Sequence, residues 1–295
     1  MPHPAQPRAL FAGLCTLDVI QSVERLPSPN EKVAALDFLT AAGGPATNAA
    51  VAFAHIGGSA ALATRLPEHP LADPIRADLA ACGVELHDLG GVDGPPVTAS
   101  ILVTRATGDR AVVSPSASAL SPNGGAPVVP PPLGDARAVL VDGYHPDLAV
   151  ALAREARAAS VPVLMDAGSL KPHTGVVAGE VDIVVASDDL TTPDGAGEPE
   201  AVFAWLAELG ATTAVITRGA RPLLWRTPAA SGEVSVAPVR VVDTLGAGDF
   251  LHGALTFRVA SLGRDDARLA EDLAWASAVV APSLGSFGTR AWLQD

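Results

Sequence analysis

Residues 243–249 read Asp-Thr-Leu-Gly-Ala-Gly-Asp, and this stretch decides the fold. The β-branched run 239–242 before it predicts a strand, and the apolar run 250–257 after it predicts a helix. A glycine-rich turn at the start of a helix leaves backbone N–H groups unpaired, which favours the binding of an anion. Asp249 adds a carboxylate beside that anion site. An acid in this place is typical of a base that takes the proton of a hydroxyl group about to be phosphorylated.

A second glycine motif lies far upstream. Residues 43–52 read Gly-Gly-Pro-Ala-Thr-Asn-Ala-Ala-Val-Ala. Pro45 falls at the first position of a predicted helix, where the missing backbone N–H of proline costs nothing. The small residues that follow predict a helix that packs closely on its neighbours.

Together the two motifs resemble the ribokinase-like, or PfkB, family of carbohydrate kinases. Residues 43–52 match the family's Gly-Gly…Asn block, and residues 243–249 match its Asp-Thr-x-Gly-Ala-Gly-Asp block. The order of the motifs, their spacing and the length of 295 residues also fit, so the resemblance covers nearly the whole chain. Segments 13–20 and 240–245 look most similar to the ketohexokinase branch. The resemblance implies a ribokinase-like α/β three-layer sandwich with a mostly parallel central sheet and a small β-sheet lid.

The pattern along the chain agrees with an α/β fold, because apolar strands alternate with helices and so predict a mostly parallel sheet covered on both faces. Strands are predicted at 9–14, 60–64, 84–87, 138–142, 161–166, 181–186 and 212–217, and helices at 46–56, 71–82, 147–159, 198–209, 247–261 and 266–281. Other β segments interrupt this alternation, at 18–24 and 33–39 and in a hairpin of 97–104 with 110–113. By resemblance we expect a core of 1–14, 41–91 and 116–295, with a lid of 15–40 and 92–115.

Composition excludes several classes of protein. The chain carries 32 acidic and 19 basic residues, and its only lysines are Lys32 and Lys171. Nucleic acid is therefore excluded as a partner, because phosphate backbones require clustered Lys and Arg. The two cysteines, Cys15 and Cys82, form neither a CxxC motif nor a Cys/His metal cluster. The N-terminus lacks the features of a signal peptide, and no apolar run approaches the ~18 residues of a membrane span, so we expect a cytoplasmic protein.

Asp249 is the expected general base, and Gly246, Ala247 and Gly248 form the turn whose amides would bind the transferred group. Glycine is needed there because a side chain would hold the backbone away from a phosphoryl oxygen. The alternative for Asp249 is an acid favoured at a helix start by the helix dipole. Other phosphate motifs are missing: there is no Gly-x-x-x-x-Gly-Lys-Ser/Thr loop, Leu251 replaces the third glycine of a dinucleotide fingerprint, and the protein-kinase motifs are absent.

The resemblance assigns the sugar contacts to Asp18, Gly44, Asn48 and Arg110. For Asp18 the alternative is an acid at a strand end that faces solvent, and for Asn48 it is a local cap of its helix. Arg110 is otherwise a solvated turn residue. Many relatives carry a polar residue or glycine where Pro45 stands, so one family hydrogen bond is missing here.

The resemblance also implies ATP and Mg²⁺ at the carboxyl edge of the sheet. Segments 217–219 and 281–285 are expected to frame the adenine, and backbone carbonyls near Asp243 and Gly285 hold K⁺ in the family. Many members organise Mg²⁺ with an Asn-x-x-Glu motif, which is Ser187-Asp188-Asp189-Leu190 here, so Asp188 or Asp189 is the candidate magnesium ligand. Histidines such as His55 and His252 are predicted to be packing or surface residues. The expected nucleotide contacts are Asp243, Thr244, Thr217, Gly219, Gly285 and Lys171.

These features predict an ATP-dependent kinase that phosphorylates a hydroxymethyl group of a small sugar, a ketohexose or a related sugar. A nucleoside (adenosine-type) or ribose kinase and a non-catalytic sugar-sensing relative remain as alternatives. Phe38 is the only aromatic residue of the two lid segments, which disfavours a nucleoside, because a base site normally has aromatic or apolar walls. Exposed sheet edges are usually covered, and lids of this family often pair, so we expect a homodimer through the lid.

Overall fold

The computed structural model describes residues 6–115 and 128–294 of the chain. Its strands are β1 Arg8–Ala12, β2 Thr16–Val23, β3 Asp37–Gly43, β4 Ser59–Thr64, β5 Val84–Asp88, β6 Thr98–Thr104, β7 Arg110–Val113, β8 Ala138–Val141, β9 Val163–Ala167, β10 Ile183–Ser187, β11 Thr213–Arg218, β12 Arg221–Arg226 and β13 Ser231–Val234. Its α-helices are α1 Pro45–His55, α2 Asp73–Ala81, α3 Pro146–Ala158, α4 Thr174–Ala178, α5 Pro199–Glu208, α6 Ala247–Leu262 and α7 Leu269–Val280.

The large sheet has nine strands in the order β13-β12-β11-β10-β9-β8-β1-β4-β5. Neighbours from β11 to β5 pair in parallel, whereas β12 and β13 add an antiparallel hairpin at one edge. Successive side chains of a strand point to opposite faces, so Phe11 and Leu140 pack into one apolar cluster while Leu10 and Val139 pack into the other. Helices α1, α6 and α7 cover the first face and helices α3 and α5 cover the second. The three-layer α/β fold with a mostly parallel sheet is confirmed.

The small sheet has four strands in the order β3-β2-β6-β7. Its buried face carries Ile20, Ala99, Ile101 and Val103, which pack against a few partly buried residues that include Leu245. Because Leu245 belongs to the 243–249 stretch, the small sheet lies against the loop that leads into α6. The core and lid boundaries stay a prediction, and β3 runs on to Gly43, past residue 40.

Two local predictions are wrong, and one hairpin and the short helix α4 were not predicted. The strand predicted at 33–39 is β3 at Asp37–Gly43, because its pairing with β2 ends where Asp37 meets Ser22, and among residues 33–36 only the N–H of Leu36 still bonds to β2, at the carbonyl of Ser22. Segment 239–242 is irregular, and Val242 donates its N–H to the carbonyl of Leu284 at 2.7 Å instead of joining a sheet. The β12–β13 hairpin was not predicted, since Pro222 and the charged, glycine-containing β13 give a weak strand signal.

Helices α1 and α6 pack very closely. A Cβ atom on Gly253 would overlap the carbonyl oxygen of Ala49, so the absence of a side chain at this position lets the two helices meet. The rings of Phe53 and Phe257 continue the contact, with centroids 5.5 Å apart. The first turns of α1 and α6 therefore lie side by side. Of the helices in the described ranges, none has the length and apolar character that a membrane crossing requires.

Gly253→Ala is expected to lower the free energy of unfolding by about 1–3 kcal/mol, because the added methyl group forces the two helices apart. The measurement is urea unfolding followed by circular dichroism. The matched control is Gly175→Ala in α4, where the nearest atom to the new Cβ lies 3.6 Å away and the stability should be unchanged or slightly higher. Equal urea midpoints for Gly253→Ala and the wild type would show that α1 and α6 do not depend on this glycine.

Candidate active site

The turn before α6 has the geometry that an anion site requires. Gly246 precedes the helix in the left-handed conformation with φ of +76°, and a Cβ there would lie 2.9 Å from the ring of Phe250. Only glycine adopts this conformation at little cost. The first helical hydrogen bond runs from the N–H of Phe250 to the carbonyl of Gly246 at 2.8 Å. The N–H groups of Gly248 and Asp249 lie in the first turn, which leaves such groups without a partner within the helix.

A cavity of about 830 Å³ opens over this turn along the carboxyl edge of the large sheet. Its volume lies in the range of small-molecule sites. A polar lining comes from β7, from residues after β8, from β9 and the residues after it, and from the turn before α6, whereas β12, the segment after β13 and the end of α7 supply an apolar lining. The polar lining includes Arg110, Asp142, Tyr144, Asp166, Lys171 and residues 246–249, and the apolar lining includes Leu223, Val236, Val239, Val280, Ala281 and Leu284.

Asp249 lies in this cavity at the point where α1 and α6 meet. The Nδ2 group of Asn48 donates a hydrogen bond of 2.8 Å to its Oδ2. Burial raises the pKa of Asp249 to about 6, and the nearby charge of Asp166 adds to the rise. The hydrogen bond from Asn48 and the positive charges of His252 and Arg110 lower the pKa and so oppose the rise. The carboxylate is therefore ionised at neutral pH with a basicity above that of an ordinary aspartate, which suits a general base.

The orientation of Asn48 is set by Arg290, which the sequence did not indicate. Arg290 donates from Nη1 to Oδ1 of Asn48 at 3.4 Å, so the amide nitrogen of Asn48 faces Asp249. The same guanidinium pairs with Asp78 at 2.9 Å and donates to the carbonyl of Ala42 at 2.6 Å. Asp78 in turn accepts the N–H of Ala42 at 2.9 Å. One ion pair thus fixes both the end of β3 and the rotamer of Asn48.

Asp18 and the glycine pair lie beside Asn48. A Cβ on Gly43 would overlap the carboxylate of Asp18, and a Cβ on Gly44, whose φ is +100°, would overlap the carbonyl of Leu14. Both positions therefore require glycine. Burial raises the pKa of Asp18 to about 6, a hydrogen bond of 2.6 Å from Thr16 lowers it, and the charge of Asp249 raises it again. Asp18 and Asp249 are thus close enough to influence each other.

Asp142 anchors the start of α1, a role that the sequence did not reveal. This buried carboxylate accepts three backbone N–H groups, from Leu14 at 2.8 Å, Ala46 at 3.2 Å and Tyr144 at 2.9 Å. A Cβ on Gly13 would overlap it. The only signal was its place directly after the apolar strand 138–141. Its negative charge at a helix N-terminus is stabilised by the helix dipole.

Arg110 reaches the cavity from β7 of the small sheet. Its Nη1 donates to Oγ1 of Thr244 at 2.9 Å, which ties the small sheet to the loop before α6. Lys171 comes from the segment after β9, and its Nζ lies 4.4 Å from the centre of the Tyr144 ring. Both cations line the cavity. They provide the positive charge that a phosphorylated ligand needs.

Most of the predicted nucleotide contacts line the cavity, but two do not. Thr217, Gly219 and Thr244 are in the lining, whereas Gly285 lies just outside it beside Leu284. Asp243 is also outside, because its buried carboxylate accepts the N–H groups of Leu245 at 2.8 Å and Gly288 at 2.9 Å. The side chain of Asp243 therefore holds the loop together, and only its backbone is left for a ligand.

Of the two acidic residues after β10, Asp188 and Asp189, one lines the cavity and the other does not. Asp189 lines the cavity, whereas Asp188 forms an ion pair with Arg221 outside it. Within residues 6–115 and 128–294, no group of three or more His, Cys, Asp or Glu side chains is placed to hold a metal ion. A single carboxylate suits Mg²⁺ that arrives with a nucleotide, since this ion is usually held by one or two carboxylates together with substrate phosphates and water.

Comparison with known proteins agrees with this geometry. The profile of the pfkB family carbohydrate kinases matches residues 6–294, and the chain belongs to this family. The fold is similar to a putative ribokinase from Agrobacterium tumefaciens, with 23% identity, a TM-score of 0.80 and coverage of 97% of this chain and 94% of the other.

Two further solved structures show the same fold. A ribokinase from Arabidopsis thaliana, complexed with ribose and ATP, is 23% identical over 98% of each chain with a TM-score of 0.75. A fructokinase from Xylella fastidiosa with bound ATP is 20% identical over 97% of this chain and 94% of the other, with a TM-score of 0.73. Family membership defines the class of enzyme, an ATP-dependent carbohydrate kinase.

Proposed function

We propose that this kinase transfers the γ-phosphoryl group of ATP to a hydroxymethyl group of a small sugar, a ketohexose or a close relative. The observation that carries the proposal is the position of Asp249. Its carboxylate is held by Asn48 at 2.8 Å, lies in the first turn of α6 beside the amides of the anion turn, and influences the titration of Asp18. A base, a hydroxyl-binding acid and an anion site thus converge on one point.

Each group has a role in the proposed reaction. Asp249 takes the proton of the attacking hydroxyl, and the amides of residues 247–249 bind the charge that develops on the transferred phosphoryl group. Asp18, Gly44 and Asn48 bind the other hydroxyl groups of the sugar. Arg110, which the small sheet brings to Thr244, adds positive charge at the same place. Because the proton leaves late in a loose transition state, a base with a pKa near 6 is strong enough.

The nucleotide occupies the cavity, whose lining includes Asp249 but not the proposed sugar contacts Asp18, Gly44 and Asn48. The apolar lining around Val236 and Leu284 suits a purine ring, and Lys171 suits its phosphates. Asp189 and the phosphates of ATP would hold Mg²⁺. The ion would neutralise part of the negative charge of the phosphates. By resemblance to the family, we propose K⁺ at backbone carbonyls near Asp243 and Gly285, two segments that the hydrogen bond from the N–H of Val242 to the carbonyl of Leu284, at 2.7 Å, joins. A comparison of rates in K⁺ and Na⁺ tests that last placement.

The small sheet favours a sugar over a nucleoside. Its buried face is aliphatic, and its aromatic residue Phe38 is 58% exposed, so no described side chain of this sheet is placed to stack on a base. The similarity of segments 13–20 and 240–245 to ketohexokinase favours a ketose. Ribose is the second candidate, since structures described as ribokinases share the fold.

The small sheet also supports a homodimer. Its two edge strands, β3 and β7, expose Phe38, Val112 and Val113, and Val113 is 73% exposed. Unpaired edges with apolar side chains are usually covered in native proteins. A second copy of this chain, paired lid to lid, would cover them. Light scattering at micromolar concentration tests this, and a monomer there would contradict it.

Asp249→Asn is expected to lower turnover by about 10²–10⁴-fold, the usual effect of losing a positioned base, while sugar binding stays close to that of the wild type. The measurement is sugar-dependent ATP consumption beside calorimetric sugar binding. In the wild type, kcat/KM should fall as the pH falls through about 6, because protonated Asp249 cannot accept the hydroxyl proton.

Glu271→Gln is the matched control, since its carboxylate is exposed on α7 and far along the chain from the turn. It should leave turnover unchanged. An Asp249→Asn enzyme that retains turnover within a few-fold of the wild type would remove Asp249 from the mechanism. A wild-type protein that binds sugar and consumes no ATP would instead favour the sugar-sensing alternative.

Among fructose, ribose and adenosine, fructose is expected to have the highest kcat/KM, because the proposed sugar contacts offer carboxylate and amide groups to hydroxyls and the described part of the small sheet offers no aromatic face to a base. The three acceptors are compared at the same ATP and Mg²⁺ concentrations. A tenfold preference corresponds to roughly 1.4 kcal/mol of transition-state discrimination. A tenfold preference for adenosine would overturn the ketose assignment and leave the kinase assignment intact.

A further inference from the structure

His252 lies directly beneath the anion turn, one turn along α6 from Asp249. Its ring is buried, with only 5% of the residue exposed. The Nδ1 atom is 2.6 Å from the carbonyl oxygen of Gly248 and 3.3 Å from Oδ2 of Asp166. The Nε2 atom is 3.2 Å from the carbonyl oxygen of Val185 on β10. Both ring nitrogens therefore face oxygen atoms, and the surroundings offer them acceptors.

The protonation state follows from these partners. A backbone carbonyl only accepts hydrogen bonds, and a neutral imidazole carries a single N–H group. A neutral ring would thus point one nitrogen lone pair at a carbonyl oxygen in a buried place, which is unfavourable. An imidazolium donates from both nitrogens and satisfies every partner. Burial raises the pKa of Asp166, whereas a positive charge on His252 lowers it, so the two groups are charged as a pair and each supplies the opposite charge that the other requires.

We infer that His252 is held as an imidazolium paired with Asp166, and that this fixed positive charge positions the anion turn and keeps Asp249 ionised. His252 is a positioning residue, because it acts through the carbonyl of Gly248 and through the field at Asp249 and does not touch the reacting atoms. The inference rests on the proposed role of Asp249 as the base.

Other charges around the pair are compatible with this state. Asp166 faces the ring from β9, with its Oδ2 3.3 Å from Nδ1 of His252. Asp249 lies on the same helix as His252. Beyond these, the titratable groups that act on Asp166 or Asp249 come from several elements, and they are Asp142, Lys171, Arg110, Asp18 and Tyr144. This set holds two carboxylates and two cations, and with Asp166 and Asp249 the carboxylates around the ring number four against two cations, which favours a positive charge on the ring.

Removal of the positive charge of His252 should shift the pH dependence of kcat/KM in a predictable direction. In His252→Gln, Asp249 loses a nearby positive charge but keeps the negative charge of Asp166. The neutral form of Asp249 is then favoured, so the acid limb of the kcat/KM profile should move to higher pH by about one unit. A purely structural role of a neutral ring predicts a lower rate with no such displacement.

The double variant His252→Gln with Asp166→Asn separates charge from packing. It replaces the ion pair by two neutral, hydrogen-bonding amides. As in the wild type, the two residues then carry no net charge near Asp249. Its acid limb should return to within a few tenths of a unit of the wild-type position, even if its rate stays low. His55→Gln on α1 is the matched control for loss of a helical histidine and should leave the limb in place. An acid limb that stays fixed in His252→Gln, or a double variant displaced as far as the single one, would overturn the inference.

The direct test is nitrogen NMR of the intact wild-type protein labelled in its histidines and assigned through bonded carbons. At about pH 8, well above the ordinary histidine pKa of ~6.5, His252 is expected to carry protons on both ring nitrogens. A ring with one proton at that pH would overturn the inference, whether or not the variants fold. This measurement needs no substrate, so its result is independent of whether Asp249 proves to be the base.

Discussion

The contact of α1 with α6 is the constraint on which the site depends. These helices start 202 positions apart in the chain, at Pro45 and Ala247, and belong to different glycine motifs. Because Gly253 has no side chain, the backbone of α6 reaches the carbonyl of Ala49, and the two first turns come together. Asn48 then meets Asp249 at 2.8 Å. Without this contact, the motif that we propose to bind sugar and the motif that we propose to bind the phosphoryl group would lie apart.

Buried or partly buried charged side chains hold the three segments around that point. Asp142 grips the start of α1 through three backbone N–H groups. The Asp78–Arg290 pair holds the end of β3 and orients Asn48. His252 and Asp166 lie beneath the start of α6. Such charged contacts are weak sources of stability, and we attribute to them the placement of the proposed base, Asp249, between the anion turn and the proposed hydroxyl-binding acid, Asp18.

The sequence predicted what depends on local pattern. The alternation of strands and helices, the glycine turn at Gly246 and the starts of six helices were readable to within three residues, because each is encoded within a short window, whereas the short helix α4 was not predicted. The position of β3 was misplaced, since it depends on where β2 offers partners. Arg290, Asp142 and Asp166 were not singled out, because their partners come from distant segments. His252 was taken for a packing or surface residue, and nothing near it in the chain indicated Asp166, which is 86 positions away in sequence.

The most direct test of the central claim is a crystal structure of the protein with Mg²⁺, a non-hydrolysable ATP analogue and fructose. The account predicts that the γ-phosphoryl oxygens bind the amides of residues 247–249. It also predicts that one sugar hydroxyl lies within about 2.6–3.2 Å of the Asp249 carboxylate, the reach of a general base. A γ-phosphoryl group held elsewhere, for example at Lys171, with every sugar hydroxyl out of hydrogen-bond reach of Asp249, would contradict the account.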